Sequence, residues 1–278
     1  NVNAHNNKNG DTAMTEQSNE KPVIETRKGK SVWLTLNRPQ IKNAMNGEMI
    51  AMLVEAFQRL GNDPDTRAIV LAANGDAFCS GADLGYMMQM AQQAVSNQQS
   101  GITLTSLFRG IAECPKPVVA RVHGLCLAGA TGLVSASDII VASNNVKFSL
   151  PEVKRGLIPA TISPYVVQAM GVQAARRYFI TGETFTAEKA YALGMVHELT
   201  TPDTLDAKLE SILAELDSCA PDAMAACKKL VRDVSRMDIT ADETHAEVAA
   251  RLAAVRGSAE AAEGMMAFME KRKPKWVG

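Results

Sequence analysis

The sequence lacks the features that mark several classes of protein. Its 278 residues carry a formal net charge of −1, so the chain has no overall basic field for nucleic acid. No apolar stretch approaches the roughly 20 residues that span a bilayer. The five cysteines form no C-x-x-C pair, and the four histidines lack the spacing of zinc ligands. We therefore expect a cytoplasmic protein with reduced thiols, no bound metal, and no nucleic-acid or membrane partner.

The composition is that of a chain with a large core. Hydrophobic residues make up 46% of the sequence. Residues 1–21 differ from the rest, because they are rich in Asn, Glu, Lys and Ser. We expect them to form a disordered tail or to be a cloning remnant. Residues 22–202 mix strand and helix patterns, whereas residues 203–278 show helical patterns only.

The apolar periodicity predicts an α/β fold. Candidate strands lie at residues 31–36, 67–73, 117–123, 138–142, 146–149 and 196–198. Candidate helices lie at residues 46–61, 100–113, 203–218, 221–235, 241–255 and 258–270. Strands that alternate with helices need crossover connections, which predicts a largely parallel sheet. No G-x-G-x-x-G follows the first strand, so a dinucleotide-binding fold is not favoured.

Two glycine-bearing loops carry most of the functional information. They read FCSGADL at residues 78–84 and HGLCLAGATGL at residues 123–133. Each loop follows an apolar strand and leads toward a helical pattern, a geometry that presents unpaired backbone N–H groups. Two such groups converging on one position would stabilise a developing oxyanion. We interpret the loop cysteines, Cys79 and Cys126, as small buried side chains, since no motif supplies a partner histidine and carboxylate.

These loops resemble those of the enoyl-CoA hydratase/isomerase family, the crotonase superfamily. The resemblance extends over residues 22–278 and includes further motifs in the family's order. They are VWLTLNRP at 32–39, SDIIVA at 137–142, KFSLPEV at 147–153 and GLIP at 156–159. The resemblance implies a crotonase-like spiral of ββα units with a C-terminal helical region that covers the active site. It also implies a homotrimer or hexamer, with residues 203–278 as the trimerisation region.

The resemblance assigns residues to the site. The backbone N–H groups of Ala82 and Gly129 correspond to the donors that hold the enolate oxygen of a CoA thioester. Glu152 corresponds to the catalytic acid and base, and an apolar acyl pocket should raise its pKa. The acyl-CoA is itself the substrate, so no separate cofactor is expected. The CoA path corresponds to Ala44, Met45, Ala82, Asp83, Leu84, Gly85 and Gly129.

One glutamate of the family's hydratases is missing. Those enzymes carry a glutamate three residues after the oxyanion glycine and another at the position of Glu152, and the pair holds a water molecule. This chain has Gly132 at the first of these catalytic positions. Three interpretations stay open. The chain is an enoyl-CoA isomerase, a hydratase whose water is held by backbone groups near Gly132 and Ala160 or by a substrate carboxylate, or a diverged member with another thioester reaction.

The segment after Glu152 favours the hydratase. Residues 156–166 read GLIPATISPYV, which is similar to bacterial hydratases of branched glutaconyl-CoA esters. Those esters are 3-methylglutaconyl-CoA and isohexenylglutaconyl-CoA, from leucine and terpene breakdown. We therefore expect a lyase that adds water across the 2,3 double bond of such an ester. A non-catalytic relative that binds CoA esters or RNA is the remaining alternative, which the intact Glu152 and loops disfavour.

Overall fold

A computed structural model describes residues 21–92 and 94–277, and their side chains except those of residues 90–103. The strands are β1 Val23–Lys28, β2 Ser31–Leu36, β3 Ala68–Ala73, β4 Val118–Val122, β5 Leu125–Leu127, β6 Ile139–Ser143, β7 Lys147–Ser149, β8 Thr184–Thr186 and β9 Glu198–Thr200. The helices are α1 Gly47–Gly61, α2 Leu84–Gln92, α3 Ala94–Glu113, α4 Gly129–Ala136, α5 Ser163–Met170, α6 Val172–Thr181, α7 Ala187–Ala192, α8 Leu205–Ser218, α9 Pro221–Val234, α10 Asp242–Arg256 and α11 Ala259–Met269. Short 3₁₀ helices span Pro39–Ile41, Pro151–Arg155, Pro202–Thr204 and Lys275–Val277. The predicted tail lies outside the described residues, apart from Lys21.

The larger sheet has six strands in the order β1-β2-β3-β4-β6-β9. The strands from β2 to β9 run parallel, and β1 pairs antiparallel with β2 at the edge. All of β3 is buried, as expected for a central strand covered on both faces. On one face Ile69 and Leu71 join the main core, and on the other Val70 packs with Leu205 and Leu209 of α8. The prediction of a largely parallel sheet is confirmed.

The smaller sheet contains β5, β7 and β8. It alternates with the larger sheet along the chain, because β4 is followed by β5 and β6 by β7 after short turns. The segment after β3 follows the same course, since Cys79 forms an isolated parallel bridge with Cys126 of β5. This repeat of two strands and a helix is the predicted spiral of ββα units. It brings the two glycine-bearing loops to the same side of the molecule.

The predicted elements agree with the structure where apolar patterns are long. The first five predicted strands match β2, β3, β4, β6 and β7 to within one residue. The last predicted strand, a short one near 196–198, is present but lies two residues later, because β9 spans Glu198–Thr200. The pattern does not predict β1, whose residues after Val23 are exposed, nor the three-residue strands β5 and β8. It also does not predict α5, α6 and α7.

The described chain after β9 contains helices and no strand, so the helical C-terminal region is confirmed. Lys228 ties α9 to the core, because its Nζ donates to Asp138 Oδ2 at 2.6 Å and to the carbonyl of Ile111 at 3.1 Å. Among the helices of residues 21–92 and 94–277, none combines the length and apolarity needed to cross a bilayer. The trimerisation role of this region stays a prediction.

Candidate active site

Backbone hydrogen bonds join the two glycine-bearing loops as a short parallel ladder. Cys79 N donates to the carbonyl of Leu125 at 3.0 Å, and Leu127 N donates to the carbonyl of Cys79 at 3.1 Å. Beyond the ladder, Gly81 has a φ of +101°, and a Cβ at this position would lie 3.0 Å from Ala128 Cβ. Position 81 therefore requires glycine, both for its backbone conformation and for the close approach of the second loop.

The backbone N–H groups of Ala82 and Gly129 donate no hydrogen bond to any acceptor in the described chain. Gly129 is the first residue of α4, where a helix leaves its N–H groups unpaired. Ala82 is held by its neighbours, because Met45 N donates to Gly81 O and Asp83 N donates to Met45 O, each at 2.8 Å. These hydrogen bonds fix the first loop against the segment before α1 and leave the N–H of Ala82 unused.

Ala128 holds the second loop in a strained conformation. Its φ of 53° and ψ of −124° are values that residues other than glycine rarely adopt, at a cost of about 1–3 kcal/mol. Ala128 N donates to the carbonyl of Ser149 at 2.8 Å, and Thr131 N donates to the carbonyl of Ala128 at 2.9 Å. The end of β7 and the first turn of α4 thus fix the residue that precedes Gly129.

A cavity of about 670 Å³ opens where these loops meet the 3₁₀ helix Pro151–Arg155. Its volume falls in the range of small-molecule sites. Every residue predicted for the CoA path lines it, and Glu152 does so as well. The other lining residues, mostly apolar, are Ile41, Ser80, Met87, Leu104, Phe108, Leu127, Ala128, Arg155, Leu157, Ile158, Pro159, Thr161 and Ile162. The structure therefore brings all the predicted site residues together except Gly132.

Glu152 lies in the first turn of the 3₁₀ helix that follows β7, with Pro151 at the start of that helix. Its Oε2 atom is buried and has no hydrogen-bond partner among the described residues. Burial raises the pKa of Glu152, and its own backbone N–H and the charge of Arg155 offset part of the rise. The direction agrees with the sequence prediction. A carboxyl group in this state accepts and returns a proton more readily near neutral pH than an exposed one.

Gly132 lies outside the cavity, beneath the side chain of Ile162. It is a buried residue of α4, and a Cβ built on it would lie 2.2 Å from Ile162 Cγ2 and 3.1 Å from Phe108 Cε1. The space in which a longer side chain would lie is therefore filled. Neither Gly132 nor Ala160 lines the cavity, although Gly129, Pro159 and Thr161 near them do, so a water molecule held by backbone groups in this region stays a prediction.

Asp83 faces the cavity but is used within the protein. Its Oδ2 accepts from Arg38 Nη1 at 3.1 Å, and its Oδ1 accepts from Tyr86 N at 3.2 Å in the first turn of α2. Arg38 Nη1 also donates to the carbonyl of Ala44 at 2.7 Å. These contacts connect Ala44 with the first turn of α2 through Arg38 and Asp83, which gives Asp83 a structural role at the cavity wall.

The cysteines of the loops are buried thiols. Burial raises the pKa of Cys79 to about 12 and raises that of Cys126 well above its usual value. Both groups therefore stay protonated at neutral pH, which confirms their interpretation as small buried side chains. His123 is also outside the cavity, with its Nε2 2.9 Å from the carbonyl of Gly75.

Arg155 is a cavity residue that the sequence pattern did not indicate. It lies three residues after Glu152 in the same 3₁₀ helix. Side chains three positions apart eclipse one another in a 3₁₀ helix, so both face the cavity. The Pro at the start of this segment and Gly156 after it, with a φ of +70°, are the signals that could have indicated so tight a turn.

Comparison with known proteins gives the family. Residues 27–278 match the family model described as enoyl-CoA hydratase/isomerase. The chain belongs to this family. Among solved structures, an enoyl-CoA hydratase from Shewanella pealeana has a TM-score of 0.88 and 36% identity, over 92% of this chain and 96% of its own. Pseudomonas aeruginosa AtuE has a TM-score of 0.87 and 34% identity, over 92% of this chain and all of its own.

The names of other relatives also point to hydration of enoyl-CoA esters. The 2,3-dehydroadipyl-CoA hydratase of Escherichia coli is 28% identical over 258 residues, which cover 92% of this chain and 98% of the relative. The predictions of a crotonase fold and of an enzyme of the enoyl-CoA hydratase class are thereby confirmed. Within residues 21–92 and 94–277, no group of three or more His, Cys, Asp or Glu side chains is placed to hold a metal ion.

Proposed function

We propose that this protein adds water across the 2,3 double bond of an enoyl-CoA ester, with Glu152 as its only catalytic carboxylate. One observation carries the proposal. Glu152, whose buried Oε2 atom has no hydrogen-bond partner among the described residues, lines the same cavity as Ala82 and Gly129, whose N–H groups have no acceptor in the described chain. A base and an oxyanion site in one cavity are the requirements for chemistry through a thioester enolate.

Glu152 is able to carry out both proton transfers in turn. Its ionised form takes a proton from water as the water oxygen bonds to the β-carbon. The π electrons of the double bond move to the thioester oxygen, and the N–H groups of Ala82 and Gly129 hold the enolate that forms. Protonated Glu152 then returns the proton to the α-carbon, which restores the carbonyl and the carboxylate. A raised pKa makes ionised Glu152 a stronger base, which favours the first step.

The substrate we propose is a branched glutaconyl-type ester, which carries a second carboxylate. One support is the similarity of residues 156–166 to hydratases of such esters. Another is the name of the Escherichia coli relative, 2,3-dehydroadipyl-CoA hydratase, because an adipyl group also derives from a dicarboxylic acid. The test compares hydration of 3-methylglutaconyl-CoA with that of crotonyl-CoA, followed by loss of the conjugated thioester absorbance. Faster turnover of the straight-chain ester would count against this substrate class.

Two variants test the chemistry. Glu152→Gln should abolish hydration while the protein stays folded and binds CoA esters, and near-normal activity in this variant would remove Glu152 from the mechanism. Gly129→Pro deletes one proposed donor at a helix position that accepts proline. Loss of an oxyanion donor costs about 3–4 kcal/mol, roughly 10²–10³-fold in kcat. Gly129→Ala is the matched control, because it keeps the N–H and adds a Cβ whose one close neighbour, at 2.8 Å, is Cε at the end of the buried but unbranched Met45 side chain, which must shift to accommodate it.

An isomerase is the second candidate, because the described residues that line the cavity include two carboxylates and one of these is already in an ion pair. Among the described lining residues these are Asp83, which is paired with Arg38, and Glu152. A proton shuttle between the α and γ carbons needs one carboxylate and no water. Reaction in ¹⁸O-labelled water separates the two functions. A hydratase places the label on the β-carbon of the product, whereas an isomerase moves the double bond of a 3-enoyl ester without label.

We also propose a homotrimer or hexamer assembled through the C-terminal helices. Large apolar side chains of α11 are exposed in the single chain, with Phe268 82% and Met269 75% accessible. Light scattering on the full chain measures the mass. Phe268→Glu should lower the mass toward that of one chain, and an unchanged mass would exclude this face.

A further inference from the structure

The cavity contains one positive charge that the protein itself does not neutralise. The charged side chains among its described lining residues are Asp83, Glu152 and Arg155. Asp83 is paired with Arg38 at 3.1 Å. Arg155 is an exposed residue that forms no ion pair or hydrogen bond with any described residue, and its charge lowers the pKa of Glu152. An unpaired guanidinium in a substrate cavity is free to bind an anion.

The position of Arg155 favours a carboxylate on the acyl chain over the phosphates of CoA as its bound anion. It lies one turn of 3₁₀ helix from Glu152, a rise of about 6 Å at roughly 2 Å per residue. Glu152 marks the reacting carbons, because in the proposed function it takes a proton from the water that attacks the β-carbon and gives that proton to the α-carbon. The phosphates of CoA are separated from those carbons by the whole pantetheine arm. A carboxylate at the end of a glutaconyl chain is only one methylene away from the β-carbon.

The surroundings of Arg155 are those of an acyl pocket. Leu157, Ile158 and Ile162 follow it in sequence and line the same cavity. An uncharged acyl chain would pack against these side chains and gain nothing from a guanidinium. A carboxylate at the end of the chain would pair with both N–H edges of the guanidinium, the geometry in which arginine binds carboxylates most tightly.

We propose that Arg155 binds a carboxylate carried by the acyl chain and so selects the CoA esters of dicarboxylic acids. The inference rests on the proposed function for the location of the reacting carbons. Beyond that function, the inference assigns to Arg155 the recognition of the negative charge on the substrate.

Lys154 provides the matched control for Arg155. The two residues are adjacent and carry the same charge, but Lys154 does not line the cavity. Its Cε lies 3.2 Å from where a Cβ on Gly182 would be, and its charge helps to lower the pKa of Glu183. Lys154→Gln therefore removes one positive charge from the same 3₁₀ helix, but from a position that does not face the cavity.

The experiment measures selectivity, as the ratio of kcat/KM for glutaconyl-CoA to that for crotonyl-CoA. Arg155→Gln should lower this ratio by about 10–100-fold, the effect of losing a charge-assisted hydrogen bond. Arg155→Lys should give an intermediate ratio, because lysine keeps the positive charge but cannot form the two parallel hydrogen bonds of a guanidinium with a carboxylate. Lys154→Gln should leave the ratio unchanged. An equal fall for both esters in Arg155→Gln, no change in the ratio, or the same fall in Lys154→Gln would each overturn the proposal.

A binding measurement keeps the inference separate from the proposed reaction. Glutaryl-CoA and butyryl-CoA are saturated, so neither is turned over. The wild-type protein should bind glutaryl-CoA more tightly, and Arg155→Gln should remove most of the difference in Kd. If the wild type hydrates neither unsaturated ester but shows this difference, the proposed function fails while the role of Arg155 stands. If it hydrates crotonyl-CoA and shows no difference in Kd, the role of Arg155 fails alone.

Discussion

Adding one methyl group at position 132 should destabilise this protein, although alanine is normally the better helix residue. A Cβ there would lie 2.2 Å from Ile162 Cγ2, a separation that real Cβ contacts essentially never show. Ile162 and Phe108 are 2% and 1% exposed and belong to the packed core, so relieving this contact requires moving core side chains that also line the cavity. Overpacking costs about 1–3 kcal/mol, and Ala regains about 0.5–1 kcal/mol over Gly in a helix. We expect Gly132→Ala to lose about 1–2 kcal/mol in net free energy of unfolding.

A double-mutant cycle assigns the loss to Ile162. Ile162→Ala removes the Cγ2 atom and by itself should cost about 2–5 kcal/mol. In that background Gly132→Ala should cost much less, so the two changes should couple by about 1 kcal/mol or more. Urea unfolding at matched protein concentration measures all four proteins, because assembly would make stability depend on concentration.

Gly110→Ala is the control within the same protein. Gly110 also lies in a helix, but a Cβ on it would meet only Phe57 Cβ, at 4.0 Å. This variant should gain about 0.5–1 kcal/mol. If Gly132→Ala gained stability as Gly110→Ala should, or if its effect added independently to that of Ile162→Ala, the space beside Gly132 would be open and the reasoning wrong.

Three further predictions concern charge. Glu152→Gln should raise the Tm by about 2–4 °C at neutral pH, for a gain of about 1 kcal/mol. Burial raises the pKa of Glu152, so its stability contribution is present at low pH and is lost as pH rises through that pKa; a gain that persisted in acid would contradict this. kcat/KM should fall in acid at a higher pH than for an exposed glutamate, and no such fall would exclude ionised Glu152 as the base. Lys228→Met should lower stability by about 1–3 kcal/mol, because the partly buried carboxylate of Asp138 loses its ion pair and keeps only the N–H of Val118; an unchanged free energy of unfolding in urea would show that Lys228 does not anchor α9.

The sequence could predict those parts of the site that depend on backbone geometry. Strand, small-residue loop and helix start are visible in the residues around Gly81 and Gly129, and both loops line the cavity as expected. The role of Ile162 could not be predicted in this way. It lies 30 positions after Gly132 in the sequence, and only the packing of α5 against α4 brings the two together. Arg155 was missed because its direction depends on a 3₁₀ helix that has no apolar periodicity.

The packing at Gly132 and the charge at Arg155 bear on the same question, which is how a site with one glutamate handles water. Ile162 fills the space beside Gly132, the position at which the sequence resemblance leads us to expect a second glutamate, so a single substitution there would not supply one without a clash. A carboxylate that arrives with the substrate and is held by Arg155 would supply the second negative group beside Glu152. Its guanidinium partner would limit the repulsion between the two carboxylates. Substrate charge would then serve catalysis as well as binding, so crotonyl-CoA should show a lower kcat than glutaconyl-CoA and not only a higher KM.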